Sequence, residues 1–500
     1  MADTAIWNFR QLAHHELDGF GGIGEGMSIQ IAKDGRRILW LAHESAPKNF
    51  TAVDVSDPRA PKIVARADLP QSHMRSNSLE TVGDIMAVAY QTTKQGLQPA
   101  GFELFDISVP ENPRSITFFD CSGPHSRGVH QLWFADGQYI HMSSGSADFV
   151  PTHPKDDQFY RIIDVKNPAK PVEVGRWWLP GTREGDSEPP PARHPEGADT
   201  GFRPHNTNVY PERPDRAYLG YIDGGMVILD ISDKARPKMV SRWDYHPPYH
   251  GFTHTVVPFF DRGLFIVSDE CVRMEGGDWP KLVWVVDGRA ETNPVPIATC
   301  PLPPLEAFQR RGGRYGAHNL YENLPKPSTW KSETIVLATF FNGGLRAYDT
   351  SNPYQPQEVG YFVRPLPSAH RPEQSRSMTF SSTSARSSIP SIGTSEDSTH
   401  SRWTSEPWPA PLRPKRGAVA ARTGRRGGAA GPRRDRFLGA GGDPIVRRVR
   451  WPWCWWAACG GSGGARWLGD CREPVLPARR LANGGCRLRC GALPRPPSPP

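Results

Sequence analysis

Between about residues 20 and 365 the chain alternates short apolar runs with polar turns, and no stretch keeps a helical period. Segments such as "GMSIQIAKDGRRILWLAH" (26–43), "HQLWFADGQYIHMSS" (130–144) and "HTVVPFFDRGLFIVSDE" (254–270) each read as two β-strands joined by a tight turn. Downstream of such pairs one phrase recurs. It is an apolar strand ending in Asp, a turn, a Pro, and a second strand, as in "TAVDVSDPRAPKIVARADLP" (51–70) and "MVILDISDKARPKMVSRWDY" (226–245). Asp54, Asp106, Asp164, Asp230, Asp287 and Asp349 head its six copies. A carboxylate there can accept backbone N–H groups of the turn, which explains Asp followed by Ser or Asn.

Four short strands per unit of about 45–55 residues is the arithmetic of a β-propeller blade. A sandwich or barrel would not require six near-copies of one turn. The expected class is all-β: a β-propeller with six complete blades plus a disrupted seventh, followed by an irregular or disordered C-terminal tail. "VILDISDKARPKMV" (227–240) resembles the signature of the LVIVD repeat family, and the likeness extends over roughly 20–365. The resemblance implies a propeller and says little about activity, since that fold serves many functions.

"WNFRQLAHHEL" (7–17) reads as a lone outer strand, of the kind that closes a propeller by completing its last blade. It would need a seventh blade after His370, where "SMTFSSTSARSSIPSIGTSEDSTHSRW" (377–403) stands instead. Shifting the implied codons by two bases turns Met378–Thr379 into Asp. Permitted codons then continue as two strands and "RGLHTLE", similar to this chain's own "GGMVILD". A Ser-rich linker is the alternative. The expected domains are a propeller over 7–370, an out-of-frame remnant of the last blade over 376–403, and a low-complexity, disordered tail over 404–500.

Charge supports that division. The whole chain carries +8, yet 373–500 holds 22 Lys+Arg against 8 Asp+Glu, leaving 38 basic and 44 acidic groups before it. The repeat region is mildly acidic, so no nucleic-acid partner is expected. Of eight cysteines only Cys121, Cys271 and Cys300 precede residue 450, which is neither a disulfide framework nor a zinc pattern. No 18-residue apolar run predicts a membrane span, and the start lacks a secretory pattern, so a cytoplasmic protein with no membrane partner is expected.

In a propeller the start of each inner strand and the end of the next strand converge on one channel mouth. The inner starts read Met27-Ser28, Asn77-Ser78, His130-Gln131, His205-Asn206, His254-Thr255 and His318-Asn319. The returning ends read His43-Glu44, Tyr90-Gln91, Ser143-Ser144, Asp223, Asp269-Glu270 and Asn342, and Arg75 and Arg203 precede two inner starts by two residues. His130, His205, His254 and His318 are the candidate metal ligands, for a divalent transition metal as cofactor, because imidazole with nearby carboxylate suits such ions. The other reading is a structural or general ligand-binding ring, its histidines bonded to backbone carbonyls. Candidate ligand-binding residues are Arg75, Asn77, Arg203, Asn206, Asn319, His43, Glu44, Asp223, Asp269 and Glu270. "RPHN" (203–206) is similar to an inner-strand motif of selenium-binding-type propellers, and this limited likeness implies metal binding without transferring a catalytic role.

Long loops (145–160, 181–202, 270–281, 303–317) fall on the same side, with Trp279, Tyr315 and His194 placed to line a lid. No local HExxH, Walker or GxSxG motif is present, and Cys271 beside two carboxylates would be a poor nucleophile. The expected function is a propeller binding a small molecule or protein at a His-rich mouth. The alternative is a metal-dependent enzyme, redox or hydrolytic, using the same histidines.

Overall fold

Each of the six repeated aspartates accepts the backbone N–H two residues ahead, at 2.7–3.1 Å, and Asp54 also takes the Ser56 hydroxyl at 2.6 Å. The turn chemistry is therefore the same in every repeat. So is a β-bulge in the pairing of third and fourth strands, which falls between the two residues just before the Asp in all six. One extra residue there bends the outer strand and increases its twist.

In this computed structural model the described residues are 5–363, apart from 16, 20–22, 45, 196–198 and 312, together with 391–392 and 454–455. Almost all of the regular structure is β, arranged as a six-bladed propeller. Blade one comprises Ile23–Ile31, Arg37–His43, Lys48–Asp54 and Lys62–Asp68. Blades two to five repeat the same antiparallel meander from Met74–Val82, Val129–Phe134, Thr207–Tyr210 and Thr253–Phe259 as inner strands. In blade six, Ile335–Thr339, Leu345–Asp349 and Gln357–Val363 are joined on the channel side by residues 318–321, through His318 N–H to Thr339 O and Thr339 N–H to Asn319 O, both 2.9 Å.

Most of the core lies between blades. Trp40 and Phe50 of blade one pack with Met86, Val88, Tyr90 and Phe105 of blade two, with Phe50 and Phe105 edge-to-face at 5.2 Å. Equivalent clusters join blades two and three, and five and six. Outer strands such as Lys62–Asp68 alternate exposed and half-buried residues, because only one of their faces meets a neighbour. Close approach of blades four and five requires Gly220, where a Cβ would lie 2.0 Å from the His254 carbonyl oxygen.

The expectation for 7–17 is corrected. Only Ala5–Trp7 forms a strand, and it pairs antiparallel with Gln357–Val363, Ala5 opposite Val363 and Trp7 opposite Tyr361. It covers the outer edge of blade six, where a row of backbone groups would otherwise lack partners. Phe9 then packs against the blade-six cluster of Trp330, Leu337, Leu345, Ala347 and Phe362 rather than continuing the strand. Apart from the two short strands Ser391–Ile392 and Cys454–Trp455, the expected remnant at 376–403 and tail at 404–500 lie outside the described residues, as does a second unit, Gly463–Pro500. No described helix is long and apolar enough to cross a membrane.

Candidate metal centre at the channel mouth

Blades three to six each deliver one histidine from the start of the inner strand, and the four rings form a continuous arc. Ring centroids are 4.4 Å apart for His130–His205, 3.7 Å for His205–His254 and 4.7 Å for His254–His318. The arc ends on Phe341, which stacks on His318 at 4.4 Å, with the Arg314 guanidinium on its ring at 4.0 Å. All four histidines are at least 92% buried.

Two carboxylates face the arc. Glu25 Oε2 is 3.5 Å from His254 Nε2 and 3.7 Å from His205 Nε2, while its Oε1 is 3.7 Å from His318 Nε2. Glu270 sits 3.6–4.0 Å from His205, His254 and His318, and Arg314 Nη1 donates to it at 2.7 Å. Glu25 forms one three-residue set with His130 and His205 and another with His254 and His318, and Glu270 closes a third with His205 and His254.

Outer partners define the proton positions. His130 Nδ1 is 3.1 Å from Gln91 Oε1, which also accepts from Arg75 Nη2 at 2.7 Å and is thereby identified as the amide oxygen. His205 Nδ1 is 2.7 Å from Asn206 Oδ1, and Asn206 Nδ2 donates to Glu322 Oε1 at 2.5 Å. Both rings thus carry hydrogen on Nδ1 and present a bare Nε2. Those two Nε2 atoms face each other at 2.7 Å. His254 Nε2, both ring nitrogens of His318, and Glu25 Oε2 are buried without a hydrogen-bond partner.

Burial holds His130 well below the ordinary imidazole range, lowers His318, and brings His205 to about 3, so these rings are neutral. Burial alone would raise the Glu270 carboxyl, but the Arg314 guanidinium beside it helps bring it to about 2. The site sets two carboxylates, one of them held by Arg314, against an arc of buried imidazoles.

Of the other sequence candidates, Arg75 and Glu44 flank the arc 3.8 Å apart, and burial raises Glu44. Arg203 donates to Gln158 at 3.2 Å, and burial lowers it to about 10. Asn206 acts from behind His205, as described. Asn77 instead binds the His130 carbonyl oxygen at 3.1 Å, and Asn319 uses its backbone within blade six. His43 turns into blade one, onto Thr51 Oγ1 at 2.8 Å. Asp269 turns into blade five, taking Tyr245 OH at 2.5 Å and Leu282 N–H at 2.9 Å, while Glu270 faces the channel because successive strand residues point to opposite sides. Asp223 lies apart, with His194 and His246. Trp279 and Tyr315 stack at 5.4 Å with Phe308 in a small core rather than over the mouth. Cys271 is pushed up to about 12 by burial and Asp278.

The sequence reading missed Glu25, Arg314 and Glu322. Glu25 was within reach, since it precedes Met27 by two residues, as Arg75 precedes Asn77 and Arg203 precedes His205. Deeper in the channel, Glu322 contacts Asn206, Asn208 and Tyr210 of blade four, and Lys326 pairs with Glu80 at 2.6 Å and also donates to Ser28. These contacts link blade six to blades four, one and two.

Among known proteins, the LVIVD repeat family matches residues 215–244. No curated protein matches the sequence. Similar solved structures include a candidate 6-phosphogluconolactonase from Bacteroides uniformis ATCC 8492, at 12% identity and TM-score 0.45, covering 68% of this chain and 86% of that one. Sqt1 from Chaetomium thermophilum is similar at 12% identity and TM-score 0.41, with 72% and 75% covered. Its complex with the N-terminus of ribosomal protein L10 gives 13% identity and TM-score 0.41, with 71% and 78% covered. The chain is a six-bladed β-propeller in which residues 215–244 match the LVIVD repeat.

Proposed function

We propose that this propeller is a metalloprotein, whose His130, His205, His254 and His318, with Glu25 and Glu270, hold a divalent transition metal that binds or activates a small polar molecule at the channel mouth. The observation that carries this reading is the 2.7 Å approach of two bare Nε2 atoms. Opposed lone pairs repel in a buried site unless a cation lies against both, and an ion about 2.0–2.1 Å from each nitrogen would accept both. A ring serving only structure would spend these nitrogens on carbonyls, whereas His254 Nε2 and His318 have no such partners.

Imidazole with carboxylate suits Zn, Fe, Cu or Mn, and the ion bound determines whether the chemistry is hydrolytic or redox. Glu25 and Glu270 supply negative charge to the ion, and Gln91 and Asn206 orient two of the imidazoles. The depth of the histidines favours a small molecule over a protein surface as ligand. Elemental analysis of purified protein tests the reading. Stoichiometric metal, lost in His205→Ala and His254→Ala, supports it. A metal-free protein whose stability falls with the same substitutions is a structural ring, and the reading is then wrong.

A further inference from the structure

We propose a second metal site, for a zinc-like divalent cation, formed by His194, Asp223 and His246 outside the histidine arc. Its three residues come from separate segments. His194 lies in the 181–202 connection between blades three and four, Asp223 follows the second strand of blade four, and His246 lies in the connection to blade five. One ligand atom from each lies within 4.8 Å of the others, and the two imidazole rings are 3.8 Å apart at an interplanar angle of 50°.

His246 has the chemistry of a prepared ligand. Its Nδ1 faces the Tyr249 carbonyl oxygen, which can only accept, so the ring hydrogen is on Nδ1 and Nε2 is bare. That Nε2 is buried with no hydrogen-bond partner, in a residue 5% exposed. A metal-binding histidine commonly uses its other nitrogen on a backbone carbonyl in this way. Gly251 makes the arrangement possible: at φ +56° it lies so close to His246 that a Cβ would meet the imidazole at 2.8 Å.

Asp223 is fully buried, and its carboxylate takes the backbone N–H groups of Thr200 and Gly201 at 2.7 Å each and the Thr200 hydroxyl. It is thereby oriented as a fixed donor, with lone-pair capacity left on Oδ1. His194 is the most exposed of the three, and burial together with the neighbouring His246 lowers it, favouring the neutral ligand form. Two imidazoles and a carboxylate are a common donor set for zinc, with the fourth position left to water or a substrate group. An ion there would tie the 181–202 connection to blade four.

The test is zinc titration by calorimetry on the full chain, with limited proteolysis of 181–202 as a second readout. His194→Ala is the leading variant, because a half-exposed loop residue can be truncated without unfolding the blades. The expected result is one equivalent of zinc lost, or its Kd raised at least tenfold, in both His194→Ala and His246→Ala. Zinc should also slow cleavage of the loop in wild type but not in those variants. Unchanged stoichiometry and affinity in His194→Ala would overturn the proposal, as would zinc-independent cleavage. The arc is scored separately: His254→Ala removes metal there and leaves the His194-dependent equivalent in place, so either site can fail alone.

Discussion

His130 Nε2 stands 2.7 Å from His205 Nε2, while each ring turns its Nδ1 to an amide oxygen, Gln91 Oε1 or Asn206 Oδ1. Neither amide touches the centre of the arc, yet together they decide which nitrogens face it.

Replacing Asn206 with Leu should therefore impair metal binding without removing a ligand. The substitution deletes the acceptor of His205 Nδ1 and frees the ring to take its other tautomer. We expect metal affinity to fall by about 10- to 100-fold, as for other outer partners of ligating histidines, with Tm changing by a few degrees. Metal competition against a chromophoric chelator checks this. Unchanged affinity would mean that the Asn206 contact does not orient the ring.

His141 gives a pH prediction independent of the centre. It is fully buried, with Nδ1 2.6 Å from Tyr160 OH, and burial brings it to about 3. The unfolded chain binds this proton near pH 6.5 and the folded chain does not until about pH 3. Its contribution to stability is thus complete above pH 6.5 and is lost as pH falls toward 3. His141→Gln should flatten the acid limb of stability against pH by up to about 1.4 kcal/mol per pH unit. Urea unfolding at pH 7, 6, 5 and 4 measures that slope, and parallel curves for wild type and variant would refute the assignment.

Deleting residues 1–8 removes the strand Ala5–Trp7 and bares Gln357–Val363. An uncovered edge strand is a template for pairing with another chain. The truncated protein should melt earlier and self-associate with rising concentration, which light scattering detects. A monomer of wild-type Tm would show that the strand is dispensable.

The residues from about 376 on are proposed to be read out of frame. Resequencing the DNA around codons 370–377 should reveal a one- or two-base insertion or deletion. The same reading frame recovered in related genes, with this tail intact, would refute the proposal.

The blades were legible in the chain because their determinants are local. An Asp at the turn, a Pro beyond it and apolar strands before it repeat within twenty residues, and each acts on its own hydrogen bonds. The four histidines were legible as well, since the repeat assigns them one register position. Their chemistry was not. Asp269 and Glu270 are neighbours in sequence, yet one is spent inside blade five and the other meets three histidines from three blades.

The sequence by itself determined the strands, the six turns and the positions from which side chains could reach a channel. Tertiary structure alone decided which of them meet: Glu25 with histidines more than 100 residues away, His194 with His246, and the N-terminal strand with blade six. The reason is physical. Strand and turn preferences act over a few residues, whereas a bare nitrogen becomes a metal ligand only when blades distant in sequence exclude water around it and fill its other hydrogen bond.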